Sequence, residues 1–127
     1  HSTWLALAEK CNLKKKALLA GDDDAFATIL SLGGCGIISA TANACPEVFV
    51  KIFEAMKAGD TKTAFEWQMK LLPLVRAMFC DTNPGPVKYA LNYLRGHSNL
   101  LRLPLIPVTR AAEDEIRTAL AGLGLKK

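Results

Sequence analysis

The sequence is poor in the residues that build metal sites and disulfide frameworks. It has two histidines, His1 and His97, and no two of its four cysteines are separated by only two residues. Zinc sites and compact disulfide frameworks usually show such close spacing. We therefore expect no metal ion, assign no other cofactor, and expect four reduced thiols, which fits a cytoplasmic protein.

Long apolar runs and basic–aromatic patches are missing as well. No apolar stretch approaches the roughly 18 residues that a membrane-spanning helix requires. The net charge is +4, and the densest basic run, residues 14–16, is typical of a solvated helix end. Its lysines are not interleaved with aromatic residues, as a nucleic-acid surface would require. The sequence therefore predicts no membrane segment and no nucleic-acid partner.

The chain does contain enough apolar residues for one folded core. Half of its 127 residues are hydrophobic and 22% are charged, as in ordinary globular proteins. Residues 17–20 and 35–39 are short apolar runs typical of strands that are buried on both faces. Between them, three aspartates and a Gly-Gly pair delimit a helix over residues 23–32. This order predicts a βαβ unit with two parallel strands.

The remaining sequence is predicted to be helical. Apolar residues recur at helical spacing in four segments, residues 47–58, 61–79, 87–94 and 110–121, and another helix precedes the first strand at residues 4–11. Asp60 and Thr109 stand where N-caps belong, and Pro73 predicts a kink in the second segment. Two parallel strands alone leave both outer edges open. The strand count therefore indicates an incomplete sheet.

Five segments, in order along the chain, resemble the dihydrodipicolinate synthase family of pyruvate-dependent aldolases. Residues 18–23 (LLAGDD) resemble its LSGDD at strand 7 of a (β/α)8 barrel, and residues 32–43 (LGGCGIISATAN) resemble its LGGxGVISVTAN at strand 8. Residues 71–74 (LLPL), 83–88 (NPGPVK) and 101–105 (LRLPL) resemble its LMPL, NPIPVK and LRLPL. The resemblance covers nearly the whole chain.

The resemblance implies an α/β fragment that is mostly helical. Residues 1–44 would be the last two βα units of the (β/α)8 TIM barrel, and residues 45–127 the last barrel helix and a C-terminal helical domain. The family enzyme condenses pyruvate with aspartate semialdehyde in lysine biosynthesis, through a Schiff base on a lysine at strand 6. That lysine would precede this chain, so the resemblance assigns no catalytic residue here.

The resemblance carries over three substrate-binding positions. Gly21 corresponds to the glycine under the pyruvate pocket, Ile38 to the residue whose main chain contacts pyruvate, and Asp22 to the catalytic mouth. Residue chemistry alone gives other interpretations: Ile38 as buried core, Gly21 as a tight-turn glycine, and residues 22–24 as helix caps. Neither Ser39 nor a cysteine has the neighbours that a nucleophile needs.

Three hypotheses remain open from the sequence. The chain is a truncated lyase that binds pyruvate weakly or not at all and is inactive alone, or it is completed by the missing N-terminal half as a split or domain-swapped barrel. The third hypothesis is a non-catalytic scaffold whose helices self-associate. The apolar helices over residues 47–58 and 61–79 favour a homo-oligomer in each case.

Overall fold

A short parallel strand pair is followed by a layer of packed helices. The structure is a computed structural model that describes residues 2–10 and 16–126. In chain order the elements are α1 (Ser2–Lys10), β1 (Leu19–Ala20), a 3₁₀ helix (Asp23–Ala25), α2 (Phe26–Ser31), β2 (Gly36–Ile37), a second 3₁₀ helix (Thr41–Asn43), α3 (Pro46–Lys57), α4 (Thr61–Met78), α5 (Gly85–Arg95) and α6 (Arg110–Gly122).

The predicted βαβ unit is confirmed, although its strands are shorter than expected. β1 and β2 pair in parallel, with Leu19 opposite Gly36 and Ala20 opposite Ile37. The amide of Ile38 also donates to the carbonyl of Ala20 at 3.0 Å. Within the described residues these two strands form the whole sheet. Each strand is therefore paired on one side only, and its other edge has no strand beside it within the described residues.

The helices agree closely with the sequence pattern. Both predicted N-caps are present: the Asp60 carboxylate accepts from the Thr63 amide at 3.0 Å, and the Thr109 hydroxyl oxygen accepts from the Ala112 amide at 3.2 Å. The bond from the Thr63 amide holds the pKa of Asp60 below its usual value. α4 runs through Pro73. The helix predicted over residues 23–32 is instead a 3₁₀ turn followed by α2.

One hydrophobic core joins the helices to the strand pair. α4 lies at its centre and packs against α3 and α6, while α2 packs against both α3 and α4. The largest fully buried apolar side chains are Ile29, Ile52, Leu71, Leu74, Met78, Ile116 and Leu120. Because this core draws residues from both sides of position 44, the two predicted segments share a packing interface. Their division at residues 44 and 45 stays a prediction.

The apolar stripe predicted on α4 is only partly buried. Leu71, Leu74 and Met78 are core residues, whereas Phe65 and Met69 are exposed. Trp67 is half-buried beneath two lysines, whose Nζ atoms lie 4.2 Å (Lys51) and 4.8 Å (Lys70) from the ring centroid. Across the described ranges, no helix combines the length and apolar character needed to cross a membrane.

Candidate functional site

The carboxyl ends of β1 and β2 lie side by side and are followed by the three predicted substrate-binding residues. Gly21 and Asp22 directly follow β1, and Ile38 directly follows β2. The bond from the Ile38 amide to the Ala20 carbonyl fixes these two chain segments next to each other. In parallel α/β folds, strand ends of this kind carry ligand sites. The structure therefore brings Gly21, Asp22 and Ile38 to one edge.

Ile38 is not a core residue in this chain. Its side chain is 71% exposed, and that of Leu19, on the neighbouring strand, is 43% exposed. The interpretation from residue chemistry alone, in which Ile38 is buried, is therefore wrong here. A strand run of this composition is buried only when strands or helices cover both faces, and the described residues cover just one.

Gly21 has no local reason to be a glycine. Its φ is outside the left-handed region, which in the described residues is occupied by Gly33, Gly59, Gly96 and Gly124. A Cβ built on Gly21 would meet nothing within 4 Å. The tight-turn interpretation therefore gains no support from the backbone or from packing within this chain.

The three aspartates have different environments, and the capping interpretation is confirmed only for the position of Asp22. Asp22 precedes the first 3₁₀ helix, yet its exposed carboxylate makes no capping bond. Asp23 is 3% exposed, and its Oδ2 accepts from both the Thr41 amide at 3.1 Å and the Thr41 hydroxyl at 2.5 Å. Sequence reasoning missed this pairing because the residues are separated by β2 and α2 and share no motif. Asp24 is exposed.

Gln68, on α4, completes a buried polar network beneath the strand ends. Its Nε2 donates to the carbonyl of Asp23 at 3.0 Å, and its Oε1 accepts from the Ala27 amide at 3.0 Å. Gln68 is buried in spite of its polar side chain. The sequence signal was a lone glutamine within the apolar stripe of α4, because such a residue requires partners when it is buried.

The second 3₁₀ helix is held from several directions. Ser39 Oγ accepts from the Ala42 amide at 2.8 Å, and the Asn43 side chain donates to the Ala40 carbonyl at 3.0 Å. Arg95, at the end of α5, donates to the carbonyls of Asn43 and Ala44, each at 3.4 Å. The segment after β2 is thus connected to the C-terminal helices as well as to Asp23.

No nucleophile is built at this edge within the described residues. Burial raises the pKa of the Cys45 thiol to about 12, and the nearby carboxylates of Glu47 and Asp23 add to the shift. Burial also raises the pKa of Cys80. The cysteines at positions 35, 45 and 80 are free thiols, while Cys11 is outside the described residues. No group of three potential metal ligands occurs in the part of the chain that the structure describes.

The segment that forms the strand ends also contains no lysine side-chain amine. The sequence has no lysine, arginine or tyrosine between Ala17 and Val50. Lys16 is exposed before β1, and Lys14 and Lys15, which the sequence assigns to a solvated helix end, are outside the described residues. The two βα units therefore contribute backbone, carboxylate and apolar groups to the edge.

Two βα units with a parallel strand pair, followed by packed helices, are the order expected for the end of a (β/α)8 barrel and the helices that follow it. Residues 5–123 match the Dihydrodipicolinate synthetase family. The chain belongs to this family. It is 45% identical over 125 residues to a 4-hydroxy-tetrahydrodipicolinate synthase of Acidiphilium cryptum, with 98% of this chain and 41% of the relative covered. A Methanococcus maripaludis synthase is 40% identical, with 94% and 40% covered.

Solved structures confirm the fold over the same part of the barrel. A chloride-inhibited dihydrodipicolinate synthase from Acinetobacter baumannii, complexed with pyruvate, has a TM-score of 0.88 at 33% identity and covers 96% of this chain and 42% of its own. The Thermotoga maritima dihydrodipicolinate synthase has a TM-score of 0.82 at 37% identity, with 86% and 37% covered. The chain thus spans about two fifths of the length of these relatives.

Proposed function

We propose that this chain forms one wall of the pyruvate site of a cytoplasmic 4-hydroxy-tetrahydrodipicolinate synthase and is inactive by itself. In that reaction, pyruvate condenses with aspartate semialdehyde. Gly21 lies under the bound pyruvate, the Ile38 main chain contacts it, and Asp22 lines the mouth. The amine that forms the Schiff base belongs to another part of the barrel.

The paired strand ends are the observation that carries this proposal. Gly21 and Ile38 are adjacent and exposed at the edge where barrel enzymes bind their substrates. Neither residue has a local explanation, because Gly21 has open space around it and Ile38 is an exposed apolar side chain. Contact with a small substrate and with further strands would explain both. The similarity to a synthase that was solved with pyruvate adds to this support.

The chemistry explains why a wall alone is inactive. A Schiff base forms when a neutral lysine amine attacks the ketone carbon of pyruvate and water leaves. A suitable amine needs an environment that lowers its pKa and a position beside the bound ketone. The segment between Ala17 and Val50 supplies no amine at all. Binding of pyruvate to the isolated chain is accordingly weak or undetectable.

Reductive trapping tests this proposal. The chain is incubated with pyruvate and borohydride, which reduces a C=N bond to a stable secondary amine, and its intact mass is then measured. We expect no adduct, whereas a complete synthase treated in parallel acquires one. A stoichiometric adduct on this chain would contradict its inactivity, and peptide mapping would then identify the responsible lysine.

A second candidate function is participation in a completed barrel. Leu19, on β1, and Ile38, directly after β2, are exposed apolar residues, and the outer edges of both strands are unpaired within the described residues. A complementary N-terminal half, or a second copy of the chain, would cover them. Light scattering tests this candidate, because a stable monomer that does not bind a separately produced N-terminal half of a relative would contradict both forms of association.

A further inference from the structure

We propose that Asp23, Thr41 and Gln68 form a latch that positions the paired strand ends and makes their geometry depend on α4. The latch is defined by the four hydrogen bonds that these side chains make to each other and to the backbone. Its role in positioning Gly21 and Ile38 for pyruvate rests on the proposed function. None of the three residues needs to touch the substrate, so they are positioning residues.

The location of the latch is the first argument. Asp23 lies three residues after the end of β1, and Thr41 lies four residues after the end of β2. The Asp23 carboxylate therefore closes a cross-link between the segments that follow the two strands. Among the described residues, the bond from the Ile38 amide to the Ala20 carbonyl is the main-chain hydrogen bond that joins the two strand ends beyond the ladder. The latch lies directly beyond that bond.

The strength and burial of the bonds are the second argument. One carboxylate oxygen accepts two bonds from Thr41, at 2.5 and 3.1 Å, and both partners are buried. Charge-assisted bonds of this kind are about twice as strong as neutral ones. Because water does not compete for buried groups, loss of one partner leaves an unsatisfied group and opens the segment.

The contribution of α4 is the third argument. The Gln68 side chain hydrogen-bonds the backbone at both ends of the turn that begins at Asp23. It donates to the Asp23 carbonyl and accepts from the Ala27 amide. A movement of α4 would therefore move the Asp23 side chain relative to Thr41. This connects the strand ends to the helix at the centre of the core.

The two carboxylate oxygens of Asp23 differ in their partners, so the proposal predicts different effects for two substitutions of this residue. Asp23 Oδ1 is buried and has no hydrogen-bond donor among the described residues. The latch therefore depends on Oδ2. Asp23→Asn retains an oxygen that can accept both bonds, but it removes the charge and places an NH2 group at the buried Oδ1 position. Asp23→Ala removes the acceptor altogether. The proposal predicts a smaller effect for Asp23→Asn than for Asp23→Ala.

Amide hydrogen exchange on the 127-residue chain tests the latch. The readout is the exchange rate of the Ile38 amide divided by that of the Leu74 amide, which reports opening of the core. We expect Thr41→Val, which removes the hydroxyl at nearly constant shape, to raise this ratio about tenfold or more. Thr41→Ser should restore the ratio to within about threefold of the original value, because it keeps the hydroxyl. Gln68→Met should also raise the ratio.

Two controls separate a latch from general stabilisation. Asp24→Asn changes an exposed neighbouring carboxylate and should leave the ratio unchanged. Ile116→Val removes one methyl group from the distant core and should accelerate both amides together. If Thr41→Val accelerates both amides together, as Ile116→Val does, or if Thr41→Ser fails to restore the ratio, the proposal of a latch is wrong. Pyruvate is not used in this experiment, so its result is independent of the trapping test.

Discussion

The helical layer and the strand pair differ in how completely their apolar side chains are covered. Leu71, Leu74 and Met78 of α4 are fully buried, and α4 packs against α3 and α6. Leu19 and Ile38, at the strand pair, remain 43% and 71% exposed. Both regions have apolar sequences, so composition does not account for this difference.

The difference follows from how helices and sheets satisfy their backbones. A helix bonds its amides and carbonyls within itself, so it needs neighbours only for its apolar face. A strand needs neighbours for its backbone as well, and a parallel sheet is normally covered on both faces. A piece of a barrel can therefore have a closed helical core while its strands remain open.

Leu74→Ala should have the largest effect on stability. The side chain is fully buried, so its loss removes apolar contacts and leaves a cavity. We expect the free energy of unfolding to fall by about 2–5 kcal/mol in urea denaturation. A smaller loss would mean that the helical layer is packed more loosely than the structure shows.

Leu103→Ala is the matched control for this substitution. The same atoms are removed from a side chain that is 87% exposed. The free energy of unfolding should change by no more than about 0.5 kcal/mol. A large change would show that the segment around Leu103 is covered, for example by another copy of the chain.

Gly34→Ala should have an intermediate effect and tests how tightly the strand pair is joined to the core. A Cβ at this position would lie 2.5 Å from Ile29 Cγ2 and 2.7 Å from the Ile29 carbonyl oxygen. Ile29 is fully buried, so neither atom can move freely. We expect a loss of about 1–3 kcal/mol in the same denaturation experiment, from overpacking.

Gly122→Ala provides the opposite case in the helical layer. Gly122 ends α6, and a Cβ there would meet nothing within 4 Å. Because alanine restricts the unfolded chain more than glycine does, this substitution should be neutral or stabilising by up to about 1 kcal/mol. Equal losses at the two glycines would contradict the steric explanation for Gly34.

The sequence was most informative where structure is determined locally. The N-caps at Asp60 and Thr109 and the extents of α3, α4 and α6 follow from residue type and spacing, which act within one or two turns. The βαβ order followed from two apolar runs separated by a helix and glycines. These features do not depend on the rest of the barrel.

Features that depend on distant partners could not be read in the same way. Asp23 appeared equivalent to its acidic neighbours, and its burial is due to Thr41 and Gln68, which are 18 and 45 residues away in sequence. Ile38 belongs to an apolar run typical of a buried strand, yet it is exposed, because burial of such a run depends on neighbouring strands and helices that are distant in sequence. The substrate-binding assignment of Gly21, Asp22 and Ile38 depended on family resemblance and stays a proposal.

Ile38→Ala should have the smallest effect of these substitutions. It tests directly whether the ends of the strand pair are exposed. Because the side chain is largely exposed, truncating it should change the free energy of unfolding by no more than about 0.5 kcal/mol, independently of protein concentration. Ile29→Ala, at a fully buried position, should cost about 2–5 kcal/mol under the same conditions. If Ile38→Ala costs more than about 1 kcal/mol, and the loss grows as the protein is concentrated, association with another copy covers the strand ends. That result would show that the strand ends form an interface between copies of the chain.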